Sequence, residues 1–174
     1  MVDLSEGSNA AGHGPIPPDL HSFLMRGPFR QCTVCGCALA SACLYEIHKV
    51  YRGNEVVFEM ALCETCGEIF SREFSKESVE ALEGFLASSF QPSPETRHCH
   101  FCGFPRPLQK GYTMIGACRA EALLLPLIVL CDTCGEKLQS RLSKKTRDCQ
   151  EDFIRDNFPG VPADVDFSPT LGVV

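Results

Sequence analysis

The pattern Cys-x-x-Cys-Gly occurs four times in a chain of 174 residues, at Cys32/Cys35, Cys63/Cys66, Cys99/Cys102 and Cys131/Cys134. No other feature restricts the possible folds as strongly. A Cys-x-x-Cys turn puts two thiols on one side of a tight loop, close enough to share one metal ion. Two such turns brought together supply the four sulfurs of a closed tetrahedral site. The pairs are separated by 27 residues between Cys35 and Cys63 and by 28 between Cys102 and Cys131. Each glycine following a motif is expected to take a positive φ, which lets the loop fold back on its own metal.

The motifs belong to a repeat. "CETCGEIFSREFSK" begins at Cys63 and "CDTCGEKLQSRLSK" at Cys131, 68 positions later. The match runs on through Ser75/Ser143, Lys76/Lys144, Phe85/Phe153 and Phe90/Phe158. Upstream, a shift of 67 aligns Arg30/Arg97, Cys32/Cys99, Cys35/Cys102, Gly36/Gly103 and Tyr45/Tyr112. The two shifts differ by one residue, gained or lost near the turn that reads "YRGNE" in the first copy and "CRAEA" in the second. The reading is an internal duplication.

Each copy has the same order of elements, which predicts an α+β fold of two small metal-binding modules. A Cys-x-x-Cys-Gly loop opens the copy. Two apolar segments follow, "LYEIHKVY" and "EVVFEMAL" in the first copy, with "RGN" as the hairpin turn. The second motif leads into an amphipathic helix, with Phe70, Phe74, Leu82, Phe85, Leu86 and Phe90 on one stripe. Leu138, Leu142, Cys149, Phe153, Ile154 and Phe158 repeat it. Ser75 and Ser143 are expected to cap a second helical segment. The "ALLLPLIVL" run is read as one buried strand. The division expected is an extended segment 1–25, module one at 26–92, module two at 93–160 and an extended tail 161–174.

Size explains why metal is needed. A module near 67 residues lies below the ~70–80 at which one core suffices without staples. Structural zinc contributes on the order of 10–16 kcal/mol in apparent free energy at neutral pH. Two Zn(II) ions per chain are therefore expected, one on Cys32, Cys35, Cys63 and Cys66, the other on Cys99, Cys102, Cys131 and Cys134. Duplication favours such self-contained sites; a crossed pairing of first motif with third stays open. On its cysteine pattern each copy resembles the zinc-ribbon and treble-clef families. That resemblance implies a structural metal and a binding surface, and no particular activity.

Four cysteines fall outside the pairs. Cys149 lies on the apolar stripe and reads as a buried thiol. Cys37 aligns with Phe104 and reads as a packing residue, with an alternative ligand as the minor reading. Cys43 and Cys118 lie near hairpin ends, where a redox pair is the minor reading. His98 and His100 flank Cys99 and read as surface or supporting histidines; His48 reads as a strand residue.

Charge and composition bound the function. Apolar residues make up 44% and charged residues 22%, as in ordinary globular domains. The net charge of -6 argues against a general polyanion binder. Yet Lys137, Arg141, Lys144, Lys145 and Arg147 form a basic stripe if 137–147 is one helix, which would suit a phosphate backbone. The first amino acids show no secretory pattern, and no apolar run approaches membrane-spanning length, so a cytoplasmic protein is expected. No catalytic constellation or small-molecule site emerges. The expected role is a non-catalytic adaptor that binds another protein. Nucleic-acid binding through the stripe is the second reading, and thiol redox chemistry the third.

Overall fold

The computed structural model describes residues 14–40 and 44–161. The remainder of both tails, and Cys43, lie outside the described residues. The first hairpin forms as its sequence demands: β2 (Leu44–Arg52) and β3 (Glu55–Cys63) are joined at Gly53, whose φ is 57°. α1 (Glu64–Ser71) and α2 (Lys76–Ser89) follow. The second half repeats the plan with β4 (Gly111–Arg119), β6 (Ile128–Cys131), α3 (Asp132–Gln139) and α4 (Lys144–Asn157). Two short strands, β1 (Gly14–Pro15) and β5 (Ala122–Leu123), complete a six-stranded antiparallel sheet. The fold is mixed α+β.

The two halves share that sheet. β2 pairs with β4 along its whole length, from Leu44 opposite Arg119 to Arg52 opposite Gly111. At the midpoint His48 faces Ile115, the residue that the shift of 67 sets against it. The pairing is thus symmetric about one point. The helix starts repeat that symmetry. Ser75 and Ser143 cap α2 and α4 by accepting the N–H groups of Ser78 and Thr146. Across the midpoint, Ser75 N–H donates to Thr146 Oγ1 at 3.0 Å, and Ser143 N–H donates to Ser78 Oγ at 2.9 Å.

Both faces of the sheet are covered. On one, Val50, Phe58, Met60 and Leu130 meet Phe70, Phe74, Leu82, Phe85, Leu138, Leu142 and Ile154 from the helices. Aromatic contacts here cross between halves. Phe153 of α4 lies 4.3 Å from Phe70 of α1, and Phe85 of α2 stacks 4.9 Å from Phe101 in the second-half loop. Each half therefore completes its apolar layer with rings from the other.

Residues 14–22, expected as part of an extended segment, cover the opposite face. Leu20 is fully buried and Ile16 nearly so, against Ile47, Tyr51, Met114 and Val129. The pattern Pro15-Ile16-Pro17-Pro18 hid this, because proline-rich composition signals extended chain whether or not the chain packs. The run at 122–130 also differs from expectation. Pro126 cannot donate to a ladder, and the run divides into β5, an exposed bend at Leu125 and β6.

Leu20→Ala is accordingly expected to cost about 2–5 kcal/mol in urea unfolding, the range for a buried leucine. A change below the measurement error would show that the N-terminal segment is not part of the cooperative core.

Candidate metal centres

Hairpin geometry brings each first motif against its second. In the first half Cys32 N–H donates to Cys37 O and Gly36 N–H to Cys32 O, closing the loop. The second half repeats both bonds, Cys99 to Phe104 and Gly103 to Cys99. Gly36 and Gly103 have φ of 73° and 72°, the left-handed turn that lets the chain double back. Gly67 and Gly135 do not conform to the expectation of positive φ. They lie inside α1 and α3, because Cys63 and Cys131 are helix N-cap residues and the second cysteine of each motif falls in the first turn.

The thiols converge in two separate groups. Cys32, Cys35, Cys37 and Cys63 have sulfurs all within 4.8 Å of one another, and so do Cys99, Cys102, Cys131 and Cys134. The pairing is not crossed. Cys66 stands beside the first group, with its thiol in contact with Cys35, Cys63 and Cys32. The first group therefore contains five thiols. Cys37, expected to pack, is exposed.

One distance recurs in both groups. Cys35 Sγ lies 3.7 Å from Cys63 Sγ, and Cys102 Sγ lies 3.7 Å from Cys131 Sγ. A disulfide would need about 2.05 Å. A tetrahedral ion with Zn–S bonds near 2.3 Å puts its sulfurs ~3.8 Å apart. The residues fit such an ion.

Main-chain amides support the sulfurs as thiolates require. Cys63 N–H points at Cys32 Sγ, 3.5 Å away, and Cys131 N–H at Cys99 Sγ, 3.4 Å away. Charge concentrates on one thiol in each group. The Cys131 thiol donates to Cys99, which is held down to about 4 while Cys131 is driven up. The backbone N–H and then the thiol of Cys37 lower Cys35 to about 6. Burial pushes Cys63 and Cys66 upward.

The remaining candidates fall outside both groups. Cys118 is buried opposite Tyr45, its thiol pushed up to about 12 by burial. Cys149 is half-buried against the helix-face core. His100 is buried, with Nε2 on Glu95 O at 2.9 Å and Nδ1 accepting Val129 N–H at 3.3 Å. His98 is exposed, and His48 is buried with Nε2 2.9 Å from Glu46. None of the three histidines joins a thiol group.

The basic residues do not share one helix. α3 ends at Gln139 and Ser143 starts α4, so Lys137 and Lys144 lie on different elements, with Arg141 in the turn between. Ser143 breaks the helix by capping the second segment. Arg147 donates to Leu142 O at 2.7 Å, Arg141 stacks 5.4 Å over Phe85, and Lys144 pairs with Asp148. Lys137 and Lys145 are exposed.

A further surface escaped the sequence reading. The turn between Ser22 and Gly27 carries Phe23, Leu24 and Met25 at 71, 84 and 53% exposure. Its backbone is firmly held. The Glu59 carboxylate accepts Phe23 N–H at 2.8 Å and Ser22 O–H at 2.7 Å. Lys49, nearly buried, lies 3.5 Å from that carboxylate. Among the described residues no helix is long and apolar enough to cross a membrane. No protein-family model, no curated protein and no solved structure matches the chain.

Two glycines of the same motif type should respond oppositely to alanine. Gly36→Ala is expected to lose about 1–2 kcal/mol through the left-handed backbone. Gly67→Ala, where the nearest atom is Leu62 Cδ2 at 3.8 Å, is expected to gain up to about 1 kcal/mol. Thermal unfolding of the metal-loaded protein checks both, and equal effects would contradict the assignment of loop and helix.

Proposed function

We propose that this protein is a non-catalytic zinc protein whose two thiolate sites staple a duplicated fold, and that it serves as a protein–protein interaction module. The 3.7 Å sulfur spacing in both groups carries the zinc reading. In the first site the ligands are Cys32, Cys35, Cys63 and Cys66; in the second, Cys99, Cys102, Cys131 and Cys134. The order of loop, hairpin and helix-borne cysteine pair favours a treble-clef reading over a ribbon reading. Symmetry of the strand register about His48 and Ile115 supports the duplication.

The adaptor role rests on the turn at 22–27. Three large apolar side chains stand in water on a backbone fixed by Glu59 and Lys49. A rigid apolar tip loses little entropy when it enters a partner's pocket. Closed sites with four thiolate ligands leave no open position for substrate, which is why the reading is non-catalytic.

Native mass spectrometry of protein purified without added metal should find two zinc ions per chain. Metal-free folded protein with paired disulfides would overturn the zinc reading in favour of redox chemistry. Protonation should oppose loading. The raised thiols of Cys63, Cys66, Cys131 and Cys134 are protonated at neutral pH and must lose protons to bind. Affinity therefore falls as pH falls, and calorimetry in buffers of different ionisation enthalpy should register proton release.

The interaction role is tested separately. A photoactivatable side chain at Leu24 should crosslink a defined protein in cells, while the same group at exposed Lys76 should not. Identical patterns from the two positions would contradict it.

A further inference from the structure

The two cysteine groups differ in a way that a purely structural pair of sites does not require. We infer that the first group is a ligand-exchange site, in which Cys37 and Cys66 compete for the fourth position beside Cys32, Cys35 and Cys63. This inference rests on the zinc reading above. Its functional consequence is that the first site can accept or surrender zinc through an incoming thiol, while the second stays closed.

The supporting observation is a surplus of thiols. A tetrahedral zinc ion takes four ligands, and five cysteines meet here. Cys37 lies within 4.8 Å of Cys32, Cys35 and Cys63. Cys66 reaches the same three residues. Either cysteine can complete a tetrad around the shared three. Gly36 explains the position of Cys37: its left-handed φ turns the next residue back toward the group. Gly103 makes the same turn in the second half, but Phe104 follows it and offers no ligand.

Access differs as well. Cys35 and Cys37 are exposed and Cys66 is half-buried, whereas Cys99, Cys131 and Cys134 are all buried and only Cys102 is open. An attacking thiol or chelator meets two exposed sulfurs at the first group, Cys35 and Cys37, and one at the second, Cys102. The exchange is balanced without any redox partner. With an ion bound, Cys37 sulfur would take the place of Cys66 sulfur, the proton lost by the incoming thiol going to the departing thiolate. A bound zinc ion, having no geometric preference from d electrons, would accept either sulfur at that position.

The test counts zinc by native mass spectrometry in the full chain. Wild type should hold two ions. Cys37→Ser and Cys66→Ser should each hold two, and the double variant one. Cys134→Ser, without a spare thiol nearby, should hold one. The second ion serves as an internal check of folding in the first-site variants. In wild type, release to an excess chelating dye should show a fast and a slow phase of equal amplitude. Cys37→Ser should slow the fast phase several-fold. One ion in Cys66→Ser, or unchanged release in Cys37→Ser, would overturn the exchange site while leaving the zinc reading intact. Wild type without zinc would overturn the zinc reading itself.

Discussion

Antiparallel pairing of β2 with β4 over nine residues sets the position of everything that carries chemistry here. Tyr45, near one end of β2, pairs with Cys63; Tyr112, near the matching end of β4, pairs with Cys131. Because the strands run oppositely, Tyr112 sits beside Tyr51, six residues along β2 from Tyr45. At ~3.3 Å per residue the two cysteine groups therefore lie at opposite ends of the central strands, roughly 20 Å apart. Each group ties a loop, a strand end and a helix start together at its own end. Between them, the apolar layers carry rings from one half to the other.

That division of labour has an energetic logic. The thiol groups are local, each drawing on its own half, whereas the core is shared. Phe153 packs on Phe70, and Phe85 packs on Phe101, so neither half contains a finished apolar layer. A 174-residue chain gains from this arrangement, since one joint core buries a larger fraction of surface than two small ones. The N-terminal segment adds to the same economy. Ile16 and Leu20 close the sheet face that the helices leave open, and their strand-like partner β5 holds the start of that segment in register.

Local features were legible in the sequence because local rules govern them. The β2–β3 turn at Gly53, the caps at Ser75 and Ser143 and the folded-back loops at Gly36 and Gly103 follow from short-range backbone and hydrogen-bond preferences. The same rule failed at Gly67 and Gly135, where a helix begins at the preceding cysteine and absorbs the glycine. Long-range pairings were not legible. Nothing in the alternation of β2 or β4 says that they pair with each other, and nothing in the proline-rich start reveals that Leu20 is buried. The basic residues at 137–147 do not lie on one helix, because spacing along a single helix does not register that Ser143 caps a second one. Cys37 illustrates a subtler limit: alignment with Phe104 implied packing, whereas the turn at Gly36 brings its thiol into the first thiol group.

Under the proposed zinc reading metal and fold are inseparable, and that link can be measured directly. Amide spectra of isotope-labelled protein should be recorded under reducing conditions before and after zinc is removed by a strong chelator. Loss of dispersion across both halves, including β2 and β4, with recovery when zinc is restored, is the predicted result. A dispersed spectrum in the reduced, zinc-free protein would contradict it, because the shared core would then hold the fold without its thiolate staples.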